Sequence, residues 1–129
     1  MNIVKSFSDF LETEGFGTLG VDIYLGGVPQ GAPDSSIWLM SGGGSPVLRT
    51  KTNEMVKQYL ISIFMRSLDP EELYDDIQAL EELINAEACP SLTGYEVVEM
   101  RATSFPTDND LDNVERTIGL IQVTLTTYL

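Results

Sequence analysis

The sequence contains no histidine. Histidine is the commonest general base near neutral pH and the commonest zinc ligand, so its absence removes the Ser-His and Cys-His nucleophile pairs and most zinc centres together. Cysteine is almost missing as well. Cys89 stands alone and can form no bridge within the chain, which is the usage of proteins kept in a reducing compartment. It precedes Pro90 and has acidic residues nearby, surroundings that disfavour a thiolate, so it reads as an inert side chain and not as a nucleophile. Long apolar runs are lacking: the longest, residues 59–65 and 119–123, fall far short of the roughly 20 residues that cross a bilayer, and no membrane contact is expected. The opening MNIVKSFSDF has no continuous apolar stretch of the kind a signal peptide carries, so synthesis in the cytoplasm without export is expected.

Basic residues are the remaining shortage. Seven Lys and Arg stand against twenty Asp and Glu, a formal charge of −13. Residues 1–66 hold five basic side chains, Lys5, Arg49, Lys51, Lys57 and Arg66, against six acidic ones, while residues 67–129 hold two against fourteen. Nucleic-acid backbones are bound by clustered Lys and Arg, so a chain this acidic is not a sequence-specific DNA binder. At 129 residues the chain suits one domain, 1–129, with one core.

Periodicity orders that domain. Ile3, Phe7, Phe10 and Leu11 form one helical stripe that stops at Gly15. Leu19, Val21, Ile23 and Leu25 alternate as a half-buried strand, residues 37–40 form a short strand, and residues 41–53, containing GGGSP, predict a long mobile loop. Tyr59, Ile61, Ile63 and Met65 alternate with Leu60, Ser62, Phe64 and Arg66, which predicts a central strand covered on both faces. From Pro70 to about Ala88 the pattern is helical: Asp69 caps, Pro70 fits the first turn, Glu72 completes a capping box, and Pro90 ends it. Leu73, Ile77, Leu80 and Ile84 point inward, leaving Glu71, Asp75, Asp76, Glu81, Glu82 and Glu87 on a face without basic partners. Residues 95–105 and 116–129 predict two strands, the first burying Val98, Met100 and Ala102 and the second Ile121, Val123 and Leu125. The expected class is α+β: a mostly antiparallel sheet with two helices packed on it.

Candidate chemical motifs fail on inspection. Gly15, Gly17 and Gly20 fit G-x-G-x-x-G, but they follow a helix and precede a strand, the reverse of a dinucleotide-binding turn, and read as a helix stop. Asp108, Asp110 and Asp112 copy the start of a calcium loop, yet Asn113 replaces its glycine and Gly119 its glutamate, so a solvated connection is expected. The helical carboxylates have no pocket for acid–base work. No enzyme activity, cofactor or metal is expected.

The order of pieces resembles the phage tail terminator proteins, the minor capsid or tail completion proteins of long-tailed phages. The resemblance covers nearly the whole chain. It is carried by the opening helix, by IYLGGVP and APDSSIWLMSGGGSP, by YLISIFMRS leading into PEELYDDIQALEELI, and by FPTDNDLDNVERTIGLIQVTL, where Pro106, Leu111, Asp112 and Arg116 lead into the closing strand. It implies a virion protein at the tail–neck junction, a hexameric ring on the head-proximal end of the tail tube. Such a ring stops tube growth and offers a surface to head-completion proteins. The partners implied are further copies of the chain, the tail tube protein and the head-completion protein, with DNA passing through the lumen. Ring closure needs two different, complementary patches on each subunit. Arg49, Lys51, Lys57 and Arg66 against the acidic helix of a neighbour (Glu71, Asp75, Glu82), with Asp108, Asp110 and Asp112 as further contacts, are the interface residues this reading selects. The alternative is an acidic DNA mimic whose carboxylates between Glu71 and Glu87 occupy a basic groove on another protein. A small-ligand regulatory domain comes third, without clustered polar anchors to support it.

Overall fold

A computed structural model describes residues 2–44, 48–49, 55–86, 91–105 and 116–128. Helix α1 spans Ile3–Thr13. Asn2 caps it, its Oδ1 accepting from the Lys5 amide at 2.8 Å. The helix ends in a Schellman pair: Phe16 N–H donates to Leu11 C=O and Gly15 N–H to Glu12 C=O, each at 3.0 Å. Gly15 sits at φ 86, a conformation that opposes a side chain, so this first glycine of the triplet is a helix stop as expected.

The strand expected from Leu19 onward is shorter. Thr18 C=O accepts from the amides of Val21, Asp22 and Ile23, and this turn consumes the alternating stretch. Val21 is left 58 % exposed, and β1 covers only Ile23–Leu25. Strand β2 runs Ser36–Gly44, parallel to β1 and antiparallel to β4 (Met55–Ser67). The stretch expected as a loop over residues 41–53 is therefore strand in part, because Ser41 pairs with Ile61 and Gly44 with Tyr59 across a bulge. A Cβ on Gly42 would sit 3.0 Å from the Leu60 Cβ, so the glycine belongs to a close strand approach. Leu48–Arg49 form β3, paired with the start of β4, and residues 45–47 and 50–54 lie outside the described residues.

Strand β4, Met55–Ser67, is central, between β2 and the closing strand β7 (Thr117–Tyr128). Helix α2 spans Pro70–Ala86 and buries Leu73, Ile77, Leu80 and Ile84, the predicted stripe. Asp69 caps it through Oδ1 to the Glu71 amide at 3.0 Å, but its own amide donates to Ser67 Oγ at 3.1 Å, the place a capping box would give to Glu72. Residues 87–90, with Cys89, lie outside the described residues. Strand β5, Ser91–Leu92, pairs with β6, Tyr95–Phe105, and β7, Thr117–Tyr128, closes between β6 and β4. Sheet order is β1-β2-β4-β7-β6-β5, antiparallel except at β1–β2.

Both helices pack on one face of this sheet. The core joins their stripes to Ile37, Leu39, Ile61, Ile63, Met65, Met100, Ala102, Ile121, Val123 and Leu125, one side of each strand. In β6 a bulge between Val97 and Glu99 changes the alternation, so Val97, not Val98, packs against the core. Asn85, near the end of α2, ties helix to sheet: its Nδ2 donates to Ala102 C=O at 3.2 Å and its Oδ1 accepts from Ala102 N–H at 2.9 Å. Replacing Asn85 with alanine strands both groups of a part-buried peptide. The expected loss is about 1–3 kcal/mol in urea unfolding, with faster hydrogen exchange at the Ala102 amide.

Candidate functional site

The other face of the sheet carries no helix among the described residues. Strand register builds a row across it, because Tyr24 pairs with Trp38, Trp38 with Phe64 and Phe64 with Leu120. Trp38 and Phe64 stack with ring centroids 5.3 Å apart and planes 8° from parallel. Met40 at 43 % and Leu60 at 39 % exposure extend the apolar area, and Ile118 is half-buried beside it. The expectation that β4 is covered on both faces is thus corrected: Ile61, Ile63 and Met65 are buried, whereas Leu60, Ser62, Phe64 and Arg66 belong to the open face. Exposed apolar area anchored by aromatics is the usual chemistry of a protein interface. Glu99 and Arg101 form a 3.0 Å ion pair on β6, further along the same face.

One margin of the sheet is fixed by two arginines. Arg66 Nη2 donates to Pro33 C=O at 3.0 Å, and Arg116 Nη1 pairs with Asp34 at 3.3 Å. The loop before β2 is thereby held to the end of β4 and the start of β7.

The outer surface of α2 is acidic. Glu71, Asp75, Asp76 and Glu82 are exposed there, with Tyr74 at 43 %, and Glu82 accepts from Gln78 at 3.1 Å. Among the described residues no group of three or more His, Cys, Asp or Glu is placed to hold a metal. Beside the first turns of α2 lies a cleft of about 280 Å³, lined by Gly15, Asp22, Ser36, Met65, Arg66 and Asp76 among others. The Asp76 carboxyl is held above its usual range, first by burial and second by the charge of Asp75. A carboxyl raised on folding contributes stability that is full below its unfolded value of 3.8 and is lost as pH climbs through the folded value. The ionised group is then a net cost. Asp76→Asn should raise the melting temperature slightly at about pH 7 and leave it unchanged at about pH 3, read by circular dichroism melts.

The residues selected from sequence separate in space. Glu71, Asp75 and Glu82 share α2. Lys57 and Arg66 lie toward opposite ends of β4, with Lys57 Nζ over the Tyr59 ring at 5.1 Å. Arg49 pairs through its backbone in β3 near the Lys57 end. Lys51, Asp108, Asp110 and Asp112 lie outside the described residues. Sequence reasoning missed the open-face row, whose signal was present as apolar residues at alternate positions on the supposedly covered side of β4.

A sequence model of one family, described as "Bacteriophage tail terminator protein", matches residues 10–129, all but the first nine. No curated protein sequence matches the chain.

Proposed function

The chain belongs to the bacteriophage tail terminator family, and from that premise we propose that it caps the head-proximal end of a tail tube as a hexameric ring. There it stops tube growth and offers its opposite side to the head-completion protein. A structural role in the phage tail follows from the family itself, and the protein works as a binding surface and not as an enzyme. The observation that carries the finer reading is the one-sided sheet. A subunit whose row Tyr24, Trp38, Phe64 and Leu120 stays half-exposed while helices fill the other face has a surface for another protein to cover.

We assign the open sheet face to the tube end and the two ends of β4 to neighbouring subunits. A ring of identical copies needs two unlike patches that fit each other, and the basic segment with Arg49, Lys51 and Lys57 is unlike the acidic α2 with Glu71, Asp75 and Glu82. The double variant Arg49→Glu and Lys51→Glu should lose ring assembly at low salt, where charge attraction is least screened, as read by light scattering. An acidic ring also repels phosphates, so DNA slides past without sticking.

The test is tube growth. Purified protein added to polymerising tail tube protein should shorten the tubes and appear at one end of each under immunogold electron microscopy. Tubes of unchanged length with unlabelled ends contradict the assignment.

A further inference from the structure

The cleft beside α2 and the basic end of β4 form an unmatched pair of charges. Asp76 lines the cleft and makes no hydrogen bond or ion pair among the described residues, while Asp22, also in the lining, accepts only the Thr18 amide, at 2.6 Å. Most described cations are engaged: Lys5 with Asp9 at 2.7 Å, Arg101 with Glu99, Arg116 with Asp34, and Arg66 with the Pro33 carbonyl. Lys57 differs. It rests over its own Tyr59 ring and has no carboxylate partner among the described residues.

We propose that the Asp22–Asp76 cleft is the acceptor half of the contact between copies, and that it receives the Lys57 end of β4 from a second copy of this chain. The proposal rests on the ring reading and specifies its contact. Geometry forbids the pairing within one subunit. Lys57 stands nine residues along β4 from Arg66, which lines the cleft, and at about 3.3 Å per residue this is about 30 Å, several times the reach of a lysine side chain. Cation and carboxylates can therefore meet only between molecules. Because the two patches differ and lie at opposite ends of one strand, the contact is head-to-tail, the type that propagates and closes into a ring. The Asp76 carboxylate keeps a cost in the isolated subunit that a neighbour's ammonium removes, since an opposite charge close by favours the ionised form. Arg66 shares the lining and donates to a neutral carbonyl, which leaves its positive charge in place, so the cleft holds two carboxylates against one cation and stays net negative.

A charge swap tests this. Asp76→Lys and Lys57→Glu should each weaken self-association by about tenfold or more at moderate ionic strength, and the double variant should recover most of the wild-type affinity. Association is measured by sedimentation equilibrium, with circular dichroism to show that each variant is folded. Asp76→Asn, a gentler change, should weaken association less and in the same direction. Single variants that associate like wild type overturn the cleft contact and leave the ring reading standing, as does a double variant no better than the singles. A wild-type chain that neither self-associates nor binds tube ends overturns both.

Discussion

Replacing Trp38 with glutamate leaves the subunit folded and lowers its affinity for tail-tube ends by about 30-fold or more. The folding half of this expectation follows from position. Trp38 is half-exposed on the open face, so a glutamate there meets water, and the loss is limited to the stack on Phe64, about 0.5–1.5 kcal/mol. The binding half follows from chemistry. Tryptophan at the centre of an apolar patch is the residue type most often worth 2 kcal/mol or more at an interface, and a buried carboxylate in its place adds a desolvation cost. Co-sedimentation with purified tubes reads the affinity, and a thermal melt reads the fold. Binding equal to wild type removes the open face from the tube contact.

The second large effect is on stability. Leu80 is fully buried on α2, and Leu80→Ala is expected to cost about 2–5 kcal/mol through lost burial and the cavity left behind. That is a large part of the roughly 5–15 kcal/mol that holds an ordinary domain together, and it should lower the melting temperature by about 6–20 °C. Glu82→Ala, two positions on and exposed, provides the control and should change stability by less than about 0.5 kcal/mol. Equal melting temperatures for the two variants contradict the placement of α2 on the sheet.

The two helices were legible because their apolar residues repeat at helical spacing and their ends carry strong signals, Gly15 in one and Asp69 with Pro70 in the other. Ile121, Val123 and Leu125 were legible because β7 alternates without a bulge. The failures have separate physical causes. Leu19 and Val21 alternate in sequence, yet the three hydrogen bonds to the Thr18 carbonyl fold that stretch into a turn, and alternation alone does not distinguish the two. Glycines 42 to 44 read as a loop because glycine usually marks one, whereas here they continue strand β2 and Gly42 lies tight against Leu60. The Asn85–Ala102 bonds join residues 17 apart through tertiary packing, which no local pattern contains.

The most informative failure concerns β4. Apolar residues on both of its sides predict burial on both, but Leu60 and Phe64 face away from the helices. A side chain with core-like chemistry at a place the fold leaves open conflicts with folding alone, and such conflicts concentrate at functional surfaces. The candidate contact residues rest on charge, and the sequence places only some of them. The acidic stripe of α2 was evident, while the cleft that gathers Asp22 and Asp76 depends on the turn after α1 and the start of α2 meeting beside β4.

In the proposed assembly, charge and apolar area divide the labour on one small subunit, with unlike charged ends for neighbouring copies and an aromatic row for the tube. The mass of the purified protein tests this most directly, measured by light scattering over a range of protein concentration, with and without magnesium, and followed by negative-stain imaging. The prediction is a closed ring of hexameric mass, formed at once or on raising concentration or adding magnesium to screen the acidic repulsion. A monomer under every condition, with no binding to tail tubes, would contradict it.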